Sequence, residues 1–264
     1  MKKIFAVLVI AIMTLALGGC TVTITLPKRH YQGFEYEISK ELGGAVITGY
    51  NGKAENIEIP EKLRGKSVVA VGDCAFEYMR DIKSVTIPAG VTSIGRNAFI
   101  ECHSLENINI PDGVTKIGIM AFFGCTALKN IDIPDSVTDL GQDTFNQSGL
   151  ESIKLPAGIT EIGWSMFIYC PNLKSIDIPD GVTKIDRFAF NFCENLTDVT
   201  IPDGVTVIED SFQGCDSLTA LSLPDSVTKI SETAFSSSYN TSITYKGTTY
   251  TYDQVDDLYA AINL

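Results

Sequence analysis

A single phrase recurs along this chain every 22 or 23 residues. The full phrase has a leucine, a run ending in Ile-Pro, the sequence Val-Thr-x-Ile-Gly, an Ala-Phe pair and a cysteine, as from Leu105 to Cys125. A unit this short cannot close a hydrophobic core, so the neighbouring copies must cover its apolar residues. The sequence therefore predicts a solenoid with equivalent residues in files. The repeat phenylalanines are Phe76, Phe99, Phe122, Phe145, Phe167, Phe190, Phe212 and Phe235.

Each copy contains two short extended segments and one compact turn. The alternation of apolar residues from Leu105 to Ile110 predicts a first strand, which Pro111 ends. Val114–Ile117 predicts a second short strand, and Ala121–Cys125 predicts a compact helical or 3₁₀ turn. About eight such turns, stacked as parallel strands about 4.8 Å apart, would form a leucine-rich-repeat rod with at least one continuous parallel sheet.

The N-terminus has the form of an export signal. Two lysines precede an apolar run, Ile4–Leu17, that is too short to span a bilayer comfortably. The four residues Leu17–Cys20 resemble a bacterial lipobox, in which the cysteine thiol is diacylated and the leader is cut before it. The resemblance implies a lipid anchor on Cys20, which would hold the chain on a membrane outside the cytoplasm. The alternative is an ordinary leader with an incidental cysteine.

Composition and turn signals divide the chain into five segments. An open solenoid end exposes apolar surface and strand edges, so a cap is expected at each end. The C-terminal cap is predicted as a hairpin turning at Lys246-Gly247, then a helix that Asp253 caps. The segments are a lipoprotein signal peptide at 1–19, a tether at 20–33, an N-terminal cap with the first strand at 34–67, repeats at 68–235 and a C-terminal cap at 236–264.

The repeat phrase resembles the BspA-like leucine-rich repeats of bacterial surface proteins. The resemblance covers about Val68–Phe235, where seven copies keep the phrase. Two stretches, Asn146–Leu150 and Val205–Phe212, are one residue short, and Ser148 stands where cysteine is expected. The resemblance implies a cell-surface protein that binds host or neighbouring-cell proteins.

Five cysteines lie three residues after a repeat phenylalanine and so form one inward file. An exported protein ordinarily forms disulfides, but stacked side chains point in parallel, and Ser148 interrupts the file. We therefore expect buried free thiols, and a free Cys74 outside the file. With only His30 and His103 in the chain, no zinc site is predicted. The file contains Cys102, Cys125, Cys170, Cys193 and Cys215.

Several functions are disfavoured by composition and motif. The formal charge of -12 disfavours nucleic acid as a partner. No histidine-based dyad or phosphate loop is present, so no catalytic residue, metal or cofactor is predicted. The aspartates after the repeat prolines are interpreted as turn residues, with a ladder of calcium sites as the alternative. The outward first-strand charges alternate in sign, which predicts a self-neutralised face without aromatics.

Aromatic and large apolar residues outside the consensus flank the repeat phenylalanines of the middle copies. They predict a convex partner-binding patch centred on Trp164, with local packing against the next turn as the alternative. The expected function is non-catalytic protein binding at the bacterial surface, including adhesion. An architectural envelope spacer and a glycan-active enzyme are the alternatives, and the oligomeric state is open. The patch comprises Ile119, Met120, Phe123, Trp164, Ile168, Tyr169, Phe188 and Phe192.

Overall fold

The computed structural model describes residues 29–263 and the backbone of one short antiparallel strand pair, Ala16–Leu17 with Cys20–Thr21. The remaining parts of the predicted signal peptide and tether, and the side chain of the predicted anchor Cys20, lie outside the described residues. Within the described part of the chain, no helix has the length and apolar content needed to cross a membrane.

The repeats wind into a parallel β-solenoid of about nine turns, which confirms the predicted fold. Equivalent positions pair in register, with Ser84 opposite Asn107 and Ile94 opposite Ile117. The cap strand Gly44–Tyr50 pairs parallel with Lys66–Val71 and so extends the coil beyond the recognised copies. We number the turns by their repeat phenylalanine, from turn 1 at Phe76 to turn 8 at Phe235.

Two sides of the rod are β-sheets. The first-strand sheet comprises Asn56–Glu58, Ser84–Thr86, Asn107–Ile108, Ser152–Lys154, Ser175–Asp177, Asp198–Val199, Ala220–Leu223 and Ser242–Tyr245. The second-strand sheet comprises Gly44–Tyr50, Lys66–Val71, Ser93–Ile94, Lys116–Ile117, Asp139–Leu140, Glu161–Ile162, Lys184–Ile185, Val207–Ile208 and Lys229–Ile230. The caps add Arg29–Tyr31, Phe34–Ser39, Lys62–Leu63, Thr248–Tyr250, a 3₁₀ turn at Tyr252–Gln254 and an α-helix at Val255–Ile262.

The third side, which we call the turn face, is built from the segments around the repeat phenylalanines. These are single hydrogen-bonded turns, as where the Cys125 N–H donates to the Phe122 carbonyl at 3.3 Å. The residues two before and two after Phe122, Met120 and Gly124, have φ of 56° and 70°, in the left-handed region. Each turn donates N–H groups to the next, as from Phe122 to Thr144 at 2.9 Å, so this side joins neighbouring turns along the whole repeat region.

The eight repeat phenylalanines form a buried stack inside the turn face. Neighbouring ring centroids lie 5.1 to 5.8 Å apart, and each ring is at most 1% exposed. The file of cysteines lies beside this stack as free, buried thiols, which confirms the prediction, and Cys74 is free and half-buried. Each thiol in the file donates to a carbonyl of the preceding turn, as from Cys125 to Phe99 at 3.2 Å. Burial raises the pKa of Cys102 to about 12 and of Cys170 to about 11.

The N-terminal cap includes part of the chain that the sequence assigns to the tether. Arg29–Tyr31 pairs antiparallel with the strand that begins at Phe34, so the tether prediction is wrong for residues 29–33. The reason is the turn between them: Gln32 and Gly33 have φ of 53° and 84°, which suits a two-residue hairpin loop.

The C-terminal cap contains the predicted hairpin and a helix that begins later than expected. Asp253 lies inside the 3₁₀ turn instead of capping it, because Thr251 occupies the N-cap and its N–H donates to Gln254 Oε1 at 3.2 Å. The Asn263 carboxamide pairs with the backbone of Ile230, accepting at 3.0 Å and donating at 2.9 Å. These two bonds cover part of the C-terminal edge strand of the second-strand sheet, Lys229–Ile230.

Both sheets are interrupted at the junction between turn 4 and turn 5. Residues 130–133 of turn 4 form no strand, and no backbone hydrogen bond joins residues 138–141 to residues 160–163 within the described chain. Three turn-face bonds cross this junction, such as Phe145 N–H to Met166 O at 3.1 Å, together with Glu151 N–H to Lys129 O at 2.9 Å. The first-strand sheet is also unpaired between Asp198–Val199 and Ala220–Leu223, so the prediction of a continuous parallel sheet is wrong. Both sheets part together only at the junction of turns 4 and 5, and the coil is therefore held together most weakly at its centre.

Candidate functional site

All eight residues of the predicted patch lie on the turn face, and four of them, Met120, Tyr169, Phe188 and Phe192, have a left-handed φ. Trp164 is 44% exposed, Tyr169 49% and Ile119 40%. The other five, Met120, Phe123, Ile168, Phe188 and Phe192, are half-buried. The patch thus contains both exposed rings and rings that pack on the coil.

The aromatic residues of turns 5 and 6 form two pairs. Trp164 lies 6.5 Å from Phe188 between ring centroids, with the planes tilted by 43°. Tyr169 stacks on Phe192 at 4.8 Å with the planes 6° apart. In each pair one ring is half-buried and packs against the other, more exposed ring. The alternative of local packing therefore applies to Phe188 and Phe192, while Trp164 and Tyr169 keep surface that a partner could contact.

Turn 4 divides the predicted patch in two. Its exposed flanking residues are the polar Gln142 and Gln147. Turn 4 separates the apolar residues of turn 3 from those of turn 5, with the Phe145 ring 5.8 Å from Phe122 and 5.6 Å from Phe167. The patch is therefore an aromatic group (Trp164, Ile168, Tyr169, Phe188 and Phe192) and a smaller turn-3 group (Ile119, Met120 and Phe123), and not one continuous surface.

Turn 4 also buries a carboxyl group that the sequence places on the surface. Asp143 is only 9% exposed, and its Oδ1 accepts a hydrogen bond from Asn146 Nδ2 at 2.8 Å. Burial raises the pKa of Asp143, and the bond from Asn146 opposes that rise. The Asn146 Oδ1 atom is buried without a partner. Asp143 lies at a left-handed position (φ 55°), as does the exposed Tyr169, so the backbone conformation alone does not decide which of these side chains is buried.

The first-strand face carries alternating charges that neutralise one another, in part as predicted. Glu151 bridges two turns, since its oxygens lie 3.3 Å from the ammonium groups of both Lys129 and Lys174. Hydrogen bonds from Lys174 and then Lys129 lower the pKa of Glu151. These pairs are exposed, so each contributes little to stability. Glu106 is one of the outward charges of the first strands. Among the described residues, no ion pair forms at Glu106.

Each sheet face carries a recess. A polar recess of about 450 Å³ on the first-strand face is lined by Ser84, Asn107 and Asp132 among others. A larger recess of about 870 Å³ lies on the second-strand face beside the N-terminal cap. Across residues 29–263, no three histidine, cysteine or carboxylate side chains gather as metal ligands. The aspartates after the repeat prolines are exposed turn residues.

Comparison with known proteins identifies the family. The model of the BspA type Leucine rich repeat region matches residues 49–174 and 160–255, with six copies. This chain belongs to the BspA-type leucine-rich repeat family, as its repeat phrase indicates. The matches begin upstream of Val68 and run beyond Phe235, so the family pattern includes part of both caps. No curated protein matches the chain.

Three solved structures have the same fold. A leucine-rich repeat protein of T. pallidum is 32% identical with a TM-score of 0.68, over 73% of this chain and 91% of that one. A leucine rich cell surface protein of Faecalibacterium prausnitzii is 27% identical with a TM-score of 0.63, over 82% and 76% of the two chains. A leucine-rich repeat protein of Bacteroides ovatus is 23% identical with a TM-score of 0.60, over 81% and 70%, which supports the fold alone.

Proposed function

We propose that the protein is a lipid-anchored, non-catalytic surface module that binds another protein through the aromatic group on turns 5 and 6. The observation that carries the proposal is Trp164, a single tryptophan held 44% exposed on a rigid coil. Membership of the BspA-type family and the similarity to a structure described as a cell surface protein support the location. The partner is a host extracellular or bacterial surface protein.

The aromatic group has the properties of an interface centre. Tryptophan and tyrosine dominate the energy of protein interfaces, because a large ring loses much water-accessible area at little conformational cost. Phe188 and Phe192 already fix the orientation of Trp164 and Tyr169, so little side-chain entropy remains to be lost on binding. The polar, exposed Gln142 of turn 4 precedes the group along the rod and suits the hydrated rim of such an interface.

The position of the aromatic group along the rod suits a surface protein. Turn 5 lies about five turns from the N-terminal cap, which is roughly 25 Å at about 4.8 Å per turn. A lipid on Cys20 would hold the N-terminal end at the membrane and present Trp164 away from it. Adhesion to a neighbouring cell or host protein follows from this arrangement.

The binding proposal is tested by capture and then by affinity. Residues 21–264 are used to capture host and bacterial surface proteins, which are identified and purified. The affinity of the purified partner is then measured for the unchanged chain and for Trp164→Ala/Phe188→Ala. We expect the double variant to bind at least about tenfold more weakly, the effect of a loss near 1.4 kcal/mol. Tyr239→Ala is the control, because Tyr239 is 67% exposed on the C-terminal cap.

Two outcomes would contradict the binding proposal. Unchanged affinity with a lower Tm in the double variant would show that Trp164 and Phe188 only pack on the coil. Failure to capture any surface protein would favour the second candidate, an architectural spacer of the cell envelope. The absence of an aromatic residue among the outward positions of the first-strand face, together with its paired charges, is the observation that favours a spacer.

The lipid anchor is tested separately. Cys20→Ser in the full chain should move the protein from the membrane fraction to the soluble fraction or the medium, because acyl chains supply the membrane affinity. Cys74→Ser is the matched control, since it removes a cysteine outside the lipobox. Retention of the Cys20→Ser variant in the membrane fraction would rule out anchoring at this residue.

A further inference from the structure

A recess lies where the repeat is one residue short. Between Ser148 and Leu150 the chain takes a shorter path, and the Gly149 N–H donates to the Cys125 carbonyl at 3.1 Å. A Cβ on Gly149 would lie 2.0 Å from the Thr126 carbonyl oxygen, so only glycine fits this corner. The shortened corner borders a recess of about 560 Å³, lined by Thr126, Gln147, Ser148, Gly149, Tyr169, Pro171 and Asn172.

One wall of the recess is a fixed aromatic ring. Tyr169 stacks on Phe192 at 4.8 Å and 6°, so one ring face is occupied and the ring cannot turn freely. It is nevertheless 49% exposed, and Pro171 continues the same apolar wall. A rigid flat ring beside a proline presents a platform for another flat, apolar surface.

The rest of the recess is polar and uncharged. None of the residues that line it is charged. The carboxamides of Gln147 and Asn172 are exposed and make no side-chain hydrogen bond to the described part of the chain. Each carboxamide can both donate and accept, and the Thr126 hydroxyl, which donates to His103 O at 3.3 Å, keeps lone pairs to accept.

We propose that this recess binds a neutral pyranose residue of a surface glycan. The C–H face of the sugar lies on the Tyr169 ring, and its hydroxyl groups bond to the carboxamides of Gln147 and Asn172. A pyranose combines an apolar face with a rim of groups that donate and accept, which is the chemistry that the recess offers. The volume falls within the range of about 300–1,000 Å³ that is usual for small-ligand sites.

Other ligands match the recess less well. An aromatic side chain of a protein partner would stack on Tyr169 but would leave Gln147 and Asn172 without hydrogen bonds once water is excluded, which costs binding energy. A charged sugar would bring a charge to a site without a counter-charge. The recess shares Tyr169 with the aromatic group but differs from it in ligand, and the protein interface is tested at Trp164 and Phe188, so either proposal can fail without the other.

The test is saturation-transfer NMR on residues 21–264 with methyl glycosides of glucose, galactose, mannose and N-acetylglucosamine. Methyl glucuronide is the charged comparison. We expect transfer to the ring C–H protons of at least one neutral glycoside and weaker transfer to the glucuronide. Tyr169→Ala should reduce the affinity at least about tenfold, and Tyr169→Phe should retain it, because the platform is preserved.

Two control variants separate the recess from general effects. Tyr78 occupies the same repeat position on turn 1 and is 58% exposed, so Tyr78→Ala should bind the sugar normally. Trp164→Ala/Phe188→Ala should also bind it normally, which distinguishes this site from the protein interface. The proposal is overturned if no neutral glycoside binds, or if a folded Tyr169→Ala chain binds as well as the unchanged chain.

Discussion

The junction between turns 4 and 5 makes a specific prediction about unfolding. In a solenoid, stability is a sum of terms within turns and terms between neighbouring turns. Neither sheet crosses this junction, whereas both cross the junctions on either side of turn 2. The buried core around the Phe145 ring, the turn-face bonds and the Glu151 N–H to Lys129 O bond therefore provide the coupling between the two halves of the rod.

Phe145→Ala removes the central part of that coupling. The ring is fully buried and stacks on Phe122 at 5.8 Å and on Phe167 at 5.6 Å. Replacing a buried phenylalanine with alanine lowers the free energy of unfolding by about 3–5 kcal/mol. Each of the two lost ring contacts contributes about 0.5–1.5 kcal/mol of this loss. Because no sheet bond spans the gap, we expect the two halves of Phe145→Ala to unfold in separate transitions.

The single tryptophan makes the transitions distinguishable. Trp164 lies in turn 5, so its fluorescence reports the C-terminal half, while far-UV circular dichroism reports the whole rod. In urea, the two signals should coincide for Phe99→Ala and separate for Phe145→Ala. Phe99 is the matched control, being fully buried between rings at 5.1 and 5.5 Å in a part of the coil with both sheets intact. Coincident transitions in Phe145→Ala would refute the reasoning.

Three further predictions concern Asp143, Asn263 and the cysteines. Burial raises the folded-state pKa of Asp143 above its unfolded value, so ionisation destabilises the fold at neutral pH and the penalty vanishes below the unfolded pKa. Asp143→Asn should therefore raise the Tm at neutral pH and leave it unchanged in acid; an equal shift at both would contradict this. Asn263→Ala should cost about 1–3 kcal/mol and speed hydrogen exchange of the Ile230 amide, and unchanged exchange would show that the edge is closed by other means. Thiol titration of residues 21–264 should count six reactive groups after denaturation. In the native chain only Cys74 should react, and slowly, because the other five thiols are buried.

Features set by repetition could be predicted from the sequence. The phenylalanine stack and the cysteine file follow from identical spacing in every copy, because side chains at one repeat position meet the same neighbours in each turn. Ser238 replaces cysteine at this position, and its hydroxyl donates to the Phe212 carbonyl at 2.6 Å, the bond that the thiols make elsewhere. At Ser148, the other replacement, the hydroxyl instead lies 3.4 Å from Cys170 Sγ, so the bond depends on the local path of the chain as well as on the repeat position.

Features set by offsets between turns could not be predicted. The sequence shows that Asn146–Leu150 is one residue short. It does not show that strand pairing would be lost in both sheets between turns 4 and 5, because that pairing depends on small displacements of one turn relative to the next. Tyr169 lies at a left-handed position, and Trp164 directly precedes another, Ser165; the sequence disguises the first of these, since tyrosine rarely adopts positive φ. The split of the patch by the polar Gln142 and Gln147 of turn 4 could be predicted from residue type, whereas the burial of Asp143 could not.

The missing residue near Gly149 links the weak junction to the proposed sugar site. If the shorter corner both opens the recess beside Tyr169 and prevents sheet pairing across turns 4 and 5, then one change should reverse both effects. Insertion of alanine between Gly149 and Leu150 restores the usual repeat length. We expect it to raise the urea midpoint, because ladder bonds can form, and to abolish glycoside binding, because the corner fills. Insertion at the other short stretch, between Glu209 and Asp210, is the control. If the Gly149 insertion raised stability but kept sugar binding, the recess would not depend on the shortened repeat, and the two features would have separate origins.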